Sequence, residues 1–357
     1  MNPYIGLDGS AFWKTAVGSQ AVEQIRGLAT PRTRLRRDEA VGTAGSCFAQ
    51  HIGRALTAEG YRLIDVEPAP AFLSPEHHRS YGFGLFSARY GNIYTAAQLK
   101  QLLMRAYNRF TPQETAWESD GRWYDPFRPT IEPGGFASEA ELRDNTASHL
   151  RQVRGLVKKL DVLVFTLGLT EAWRSREDGA VYPMCPGTAA GTFDEERYEF
   201  VNLRVSEVAA DLNWCIAFLR RAQPSLRFIL TVSPVPLTAT ASGRHVLTAT
   251  TYSKSVLRAV AGETADRHEF VDYFPSFEII TSPVFGGAFF EANRRTVAPA
   301  GVEFVMSTFF REFCHDGGAR EPGHAAQNGH IAAVEADEDA RTEDDLACDE
   351  EILEAYG

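Results

Sequence analysis

The sequence predicts an α/β fold of three layers, in which helices cover both faces of a parallel sheet. Five strand-like segments alternate with helix-like segments along the chain, and this order is typical of a doubly wound sheet. The third strand-like segment, residues 161–167, is almost wholly apolar, as expected for a strand buried on both faces. The expected arrangement is flavodoxin-like, and such folds bind ligands beyond the carboxyl ends of their strands.

The predicted elements account for most of residues 1–315, which we expect to form a single domain. The strand-like segments are residues 40–44, 61–66, 161–167, 227–232 and 269–273. The helix-like segments are residues 47–59, 95–108, 138–158, 204–222, 250–265 and 299–313. Two insertions, 67–137 and 173–200, follow strand ends and could form walls or lids over a site. Long irregular surface connections are the alternative interpretation of both.

The net charge of −11 is concentrated at the carboxyl end of the chain. From Glu335 onward, eleven acidic residues and one arginine carry a charge of −10, so the remaining chain is almost neutral. A near-neutral body lacks the basic surface that nucleic acids require, and we expect no nucleic-acid partner. Residues 316–357 contain few large apolar side chains and are predicted to form a disordered acidic tail. Its last part, residues 349–356, could dock on a protein partner as a short amphipathic turn, or be merely solvated.

Other compositional features indicate a cytoplasmic protein without cofactors. No apolar run approaches the roughly 18 residues of a membrane span, and the first residues do not resemble a secretory signal. The five cysteines are widely spread without a Cys-x-x-Cys pair, which suits a reducing compartment. The sequence contains neither a glycine-rich phosphate loop nor a metal-type cluster of histidines and aspartates. We therefore expect no membrane partner, no metal and no cofactor.

Residues 42–49, Gly-Thr-Ala-Gly-Ser-Cys-Phe-Ala, carry the most informative local pattern. A strand ends in small residues, Ser46 stands at the turn, and an amphipathic helix follows. This order exposes the hydroxyl above the sheet and directs the first N–H groups of the helix at whatever is bonded to it. The local pattern also fits a serine that only caps the helix. Cys47 is the less suitable nucleophile, because neighbouring residues at a helix start face different sides.

The segment from Gly45 to Ala49 spells the signature of the GSCFA family, which resembles a branch of the SGNH/GDSL hydrolases. Further blocks extend the resemblance, in order, over roughly residues 35–312: they are residues 166–173, 231–235, 252–258 and 273–279. The resemblance implies a five-stranded parallel sheet with the strand order 2-1-3-4-5. It also implies ester hydrolysis or acyl transfer with Ser46 as the nucleophile.

The resemblance further implies an oxyanion hole. In the wider superfamily its donors are the N–H of the serine, a glycine after the second strand and a Gly-x-Asn block after the third. Here that block is Gly168-Leu-Thr170, and a threonine hydroxyl can donate one hydrogen bond in place of the amide. Gly91 is the preferred candidate for the other glycine, in competition with two earlier glycines, and Asn92 can add an amide donor.

The sequence departs from the superfamily pattern at the catalytic base. An Asp-x-x-His block is expected before the last helix, and alignment on that helix places Asn293 and Thr296 at its two ends. Neither side chain accepts a proton from serine at neutral pH, so an enzyme of this sequence needs another base. His245 lies after the fourth strand, at the same sheet edge as the serine, and is the candidate. Glu171 could orient it or pair with an arginine, whereas His149 is expected to be structural.

Two classes of function fit these observations. The first is a serine-dependent acyl esterase or O-acyltransferase that acts on an acylated carbohydrate or a similar polar molecule. Aromatic residues in segment 117–127 could stack on a sugar ring, or could fill a core. The second is a non-catalytic ligand-binding or interaction protein that retains the pocket without the Asp-x-x-His block. Labelling of Ser46 by a serine-reactive fluorophosphonate distinguishes the two classes.

Overall fold

The computed structural model describes residues 2–315 and 349–356, and its helices follow the predicted segments closely. Apolar residues at helical spacing explain this agreement, because each such stripe needs a face of the sheet to pack on. Among the described residues, no helix combines the length and apolarity needed to cross a membrane. The α-helices are α1 (Ala49–Ala58), α2 (Pro75–His78), α3 (Ala96–Ala106), α4 (Glu139–Val157), α5 (Val205–Ala222), α6 (Val246–Arg267), α7 (Ser276–Thr281) and α8 (Pro299–Phe313).

A parallel sheet of four strands, in the order β1-β4-β8-β9, lies at the centre of the fold. The strands of the protein are β1 (Val41–Gly45), β2 (Trp117–Ser119), β3 (Arg122–Tyr124), β4 (Val162–Leu167), β5 (Glu171–Ser175), β6 (Val181–Tyr182), β7 (Tyr198–Asn202), β8 (Arg227–Val232) and β9 (Val271–Phe274). Alternate residues of β4 enter different apolar cores: Leu163 and Phe165 one, Val162 and Val164 the other. The apolar run at 161–167 is therefore a strand covered on both faces, as predicted.

The fifth strand expected at residues 61–66 does not form. Only Leu63 pairs with β1, through a single parallel bridge to Val41. Beyond that bridge another segment satisfies the edge of β1: the Thr43 N–H donates to Ser87 Oγ at 2.9 Å, and the Ser87 N–H donates to Thr43 O at 3.3 Å. The backbone groups of β1 are thus paired without a regular outer strand, and the sheet has four strands rather than five.

Both insertions contain regular structure. Segment 173–200 contributes to a three-stranded antiparallel sheet with the order β6-β5-β7, and segment 67–137 holds α3 and the β2-β3 hairpin. Trp117 is 3% exposed, and its ring centroid lies 5.3 Å from that of Tyr182. Trp117 therefore fills a small core that is separate from the two cores of the central sheet, and it offers no face to a sugar ring.

Residues 349–356 pack against the domain. Residues Asp349–Tyr356 form a 3₁₀ helix, and Asp349 is buried. This helix lies within the segment expected to form a disordered tail, and polar side chains of the domain bind its first carboxylate. Residues 316–348, the rest of that prediction apart from the last residue, lie outside the described residues.

Two histidines have lowered pKa values in the folded protein. Burial, assisted by Arg54, lowers the pKa of His51 from 6.5 to about 3. Burial and Arg128 lower the pKa of His149 to about 4, although its hydrogen bond to Glu67 acts in the opposite direction. Both rings are therefore neutral in the folded protein at pH 6, whereas the unfolded chain binds protons there.

We expect the free energy of unfolding to fall as the pH is lowered from 6.5 to about 4. In this window each histidine binds more protons in the unfolded chain, and contributes a slope of at most about 1.4 kcal/mol per pH unit. His51→Gln should remove one of the two contributions and flatten the profile, measured by urea denaturation. Above pH 7 neither ring changes protonation, so the slopes of variant and wild type should agree there. An unchanged slope below pH 6.5 would contradict the assignment.

Candidate active site

Ser46 lies at the point where β1 turns toward α1. Gly45, the last residue of β1, has a φ of +131°, and a Cβ placed there would lie 2.2 Å from the Thr166 carbonyl oxygen. Only glycine combines this conformation with so close an approach to the neighbouring strand. The Ser46 N–H then donates to Thr166 O at 3.1 Å, which holds the turn against β4. The serine thus follows the carboxyl end of a parallel strand, as predicted, but β1 is an outer strand of the four-stranded sheet and the side chain is not exposed above it.

The Ser46 hydroxyl is buried without a hydrogen bond. The residue is 1% exposed, and its Oγ has no hydrogen-bond partner within the described parts of the chain. Gly168 packs against it, since a Cβ added to Gly168 would lie 3.0 Å from Ser46 Cβ. An unsatisfied buried hydroxyl costs about 1–3 kcal/mol, so native proteins rarely keep one without a functional reason.

Two of the expected oxyanion donors are engaged in structural hydrogen bonds. The Ser46 N–H is directed at Thr166 O, within the sheet. The Gly168 N–H donates to Tyr94 O at 2.9 Å. Neither N–H is available to an oxyanion on Ser46 while these bonds persist.

The remaining expected donors differ in what they bind. The Thr170 hydroxyl donates to Asn202 Oδ1 at 2.7 Å, so it takes part in a structural bond as well. Gly91 has a φ of +66° and open space around its Cα. The Asn92 amide donates to a carboxylate oxygen of Asp349 at 3.0 Å. Asn92 is thus the expected donor that the structure shows in contact with an anionic oxygen.

His245 and Glu171 do not form a hydrogen-bonded pair. His245 is exposed and caps α6, where its Nδ1 accepts the N–H of Leu247 at 3.2 Å. Glu171 is buried at the start of β5 and accepts the hydroxyl of Thr240 at 2.8 Å. Burial raises the pKa of Glu171, while the bond to Thr240 opposes that effect. No hydrogen bond joins the imidazole to this carboxylate or to Ser46 in the described structure.

Asn293 and Thr296, which stand where Asp-x-x-His is expected, form a hydrogen bond with each other. The Asn293 amide nitrogen donates to Thr296 Oγ1 at 2.9 Å, and Asn293 Oδ1 accepts the N–H groups of Arg295 and Thr296. The two side chains stabilise a turn before α8 and supply neither an acid nor a base.

Lys254 is a functional candidate that no sequence motif indicated, and it lies next to Gly168 in the structure. Lys254 is 3% exposed, and its Nζ donates to Gly168 O at 2.6 Å. Gly168 in turn contacts Ser46, so this one glycine lies between the buried ammonium group and the serine. A lysine on the apolar face of a predicted helix was the available signal, because long charged side chains are rarely buried without a role.

His149 also has a more specific environment than a structural histidine requires. Its Nδ1–H donates to Glu67 Oε2 at 2.7 Å, and its buried Nε2 has no hydrogen-bond partner among the described residues. The ring lines a narrow cavity together with Asn92. The bond to Glu67 fixes the tautomer in which Nε2 is a proton acceptor.

The chain belongs to the GSCFA family, whose model matches residues 40–309. This match covers Ser46 and every other site residue of the domain that was predicted from sequence. No curated protein matches the chain. In the described residues, no group of three or more His, Cys, Asp or Glu side chains is arranged to hold a metal ion.

Two solved structures are similar to the chain at low identity. One is a Streptococcus pneumonia chain provisionally described as a platelet activating factor; identity is 10%, the TM-score is 0.35, and the alignment covers 81% of this chain and 86% of that one. The other is a provisionally described GDSL-like lipase from Parabacteroides merdae ATCC 43184, with 11% identity, a TM-score of 0.33, and coverage of 79% and 99%. The family assignment rests on the family model alone.

We expect Gly45→Ala to destabilise the protein by about 3 kcal/mol or more, because strain at positive φ adds to a backbone clash. Gly84→Ala is the matched control, since Gly84 has a φ of +68° but open space around it. That variant should lose about 1 kcal/mol. Chemical denaturation of both variants measures the difference, and equal losses would show that the contact with Thr166 is unimportant.

Proposed function

We propose that the protein is a serine-dependent acyl esterase or O-acyltransferase with Ser46 as the nucleophile. The observation that carries the proposal is the buried Ser46 hydroxyl, which lacks a hydrogen bond at the carboxyl end of β1. The hydroxyl belongs to the signature of the family that the chain joins. A family signature centred on a residue with an unsatisfied polar group is best explained by chemistry at that group.

In the proposed reaction, Ser46 Oγ attacks the carbonyl carbon of an ester and gives its proton to a base. The carbonyl oxygen becomes an oxyanion, and the alcohol leaves with a proton as the acyl-serine forms. Water then releases the acid, or an acceptor hydroxyl takes the acyl group. In this proposal one of the two N–H donors of the Asn92 amide supports the oxyanion, while the other holds a second group.

An acylated carbohydrate, or a polar molecule of similar size, is the proposed substrate. A cavity of about 300 Å³ is lined in part by Leu169, the residue after Gly168. Trp173 and Phe200 provide aromatic surface in this cavity, and Glu171 provides polar contacts. Aromatic surface beside hydrogen-bonding groups suits a sugar ring.

Two imidazoles are candidates for the proton acceptor. His245 is the base expected from the sequence, but its Nδ1 accepts the Leu247 N–H, so the neutral ring carries its proton on Nε2. It can act as a base only after that capping bond opens. His149 is held by Glu67 in the tautomer that leaves Nε2 as the acceptor, and its lowered pKa keeps it neutral.

A non-catalytic binding protein is the second candidate function. The observation that favours it is the mutual hydrogen bond of Asn293 and Thr296, at the positions where the superfamily has its acid and base. A protein of this kind would keep the polar pocket around Ser46 and bind its ligand without turnover.

We expect a fluorophosphonate probe to label Ser46, and Ser46→Ala to abolish labelling and lower any esterase kcat/KM by about 10³-fold or more. Cys47→Ala is the control for the neighbouring thiol and should keep the label. Because Ser46 is only 1% exposed, labelling is also measured in Glu350→Lys. This substitution replaces the ion pair of Glu350 with Arg295 by two like charges, which should release the helix that contains residue 350. An unlabelled Ser46 in both backgrounds would support the binding protein.

If His245 accepts the proton, His245→Asn should slow labelling of Ser46 by about 10²–10⁴-fold. Mass-spectrometric time courses measure the rate. Arg244→Gln, which changes the preceding residue of the same connection, should label at the wild-type rate. Undiminished labelling of His245→Asn would remove His245 from the mechanism and leave His149 as the imidazole to test.

A further inference from the structure

Two polar side chains bind the first residue of the 3₁₀ helix at Asp349–Tyr356. Asn92 Nδ2 donates to Asp349 Oδ2 at 3.0 Å, and Thr130 Oγ1 donates to Asp349 Oδ1 at 2.5 Å. Each carboxylate oxygen thus has its own donor, and Asp349 is 9% exposed. Two donors that address the two oxygens of one planar group form a site suited to a carboxylate.

The next residue of the helix lies among buried cations. The Glu350 carboxylate is 3.9 Å from the Arg295 guanidinium, whose side chain is 14% exposed. Lys254 also acts electrostatically on Glu350. Glu354 adds a third carboxylate, 3.6 Å from Arg295. A lysine and an arginine so strongly withdrawn from solvent favour an anionic neighbour.

Asn92 adjoins the Ser46 turn on one side. The N–H of the following residue, Ile93, donates to Gly45 O at 2.8 Å. This bond ties the Asn92 backbone to the residue directly before Ser46. The carboxylate that Asn92 holds therefore lies close to the turn that presents the hydroxyl.

Lys254 adjoins the same turn through Gly168, which accepts the ammonium hydrogen bond and contacts Ser46 Cβ. Asp349 and Glu350 are consecutive, so the start of the helix is bound by Asn92 through one carboxylate and acted on electrostatically by Lys254 through the next.

We propose that Asn92, Thr130, Lys254 and Arg295 form a subsite for a carboxylate on the substrate, which the C-terminal helix fills in the structure with its own carboxylates. The chain thereby carries an internal competitor for its ligand. That the ligand is a substrate rests on the proposed function, whereas the subsite itself does not. The class of ligand is a carboxylate-bearing polar molecule, such as an acidic sugar derivative.

The carboxyl groups of the docked helix make its docking sensitive to pH. Burial raises the pKa of Asp349, although its bonds to Thr130 and Asn92 act in the opposite direction. Burial also raises the pKa of Glu350 against the effects of Arg295 and Lys254, and the nearby Asp349 and Glu171 add to the rise. Raised values mean that docking of the helix is favoured at low pH and weakens as the carboxyl groups ionise.

Calorimetric titration with glucuronate and with glucose tests the proposal on the full chain. The two sugars share a ring and differ in the carboxylate. Glu350→Lys places a cation against Arg295 and should release the helix, so this variant should bind glucuronate at least about tenfold more tightly than wild type. Glucose should bind neither protein measurably. Ala355→Lys introduces a lysine at an exposed position of the same helix, away from Arg295, and should bind as wild type does.

A double variant excludes the trivial effect of the added lysine. Glu350→Lys with Arg295→Gln should lose the gain in glucuronate affinity, because Arg295 is the proposed contact. Equal affinity for the two sugars, or retention of the gain in the double variant, would overturn the subsite. Equal affinity of Glu350→Lys and wild type would overturn the competition. These titrations require no turnover, so glucuronate binding without labelling of Ser46 would refute the proposed catalysis and leave the subsite standing.

Discussion

The approach of Gly45 to the Thr166 backbone is the contact on which the candidate site depends. It lets β1 remain in register with β4 up to the residue before Ser46, so the serine leaves the sheet at a fixed point. A side chain at position 45 would push the two strands apart at their carboxyl ends. Gly168 and Lys254 are positioned relative to this turn, one by contact and the other through a hydrogen bond.

Backbone hydrogen bonding limits what the site can offer to a reacting group. The Ser46 N–H donates to Thr166 O of β4, and the Gly168 N–H donates to Tyr94 O. Both groups therefore stabilise the fold and are not free to bind a ligand. In the proposed site, polar side chains such as Asn92 therefore carry the recognition of the ligand. A site built on side chains can serve a ligand that differs from simple esters, because its donors are set by residue type rather than by the fold.

Buried charge connects the serine site to the end of the chain. Lys254 and Arg295 are costly to bury, and the carboxylates of Asp349 and Glu350 are costly as well. Their association reduces both costs, although burial still raises the pKa of the two acids. The C-terminal helix is therefore ordered by the same polar groups that the proposed chemistry uses.

The sequence by itself determined the helices, the buried central strands and the place of Ser46 between a strand and a helix. These features depend on local periodicity and on small residues at a turn, which neighbouring positions in the sequence encode. The family signature indicated Ser46 as the residue to propose as nucleophile, because its residues are contiguous. Helix α8 and strand β8 accordingly begin and end as predicted.

Only the tertiary structure decided how the polar groups are shared. Residues 61–66 have the composition of a strand, yet the hydroxyl of Ser87 takes up the edge of β1 in their place. The bond from Lys254 to Gly168 spans 86 positions, and that from Asn92 to Asp349 spans 257. No local pattern records such partners, because each donor has many acceptors of equal chemistry and folding selects among them by burial and distance.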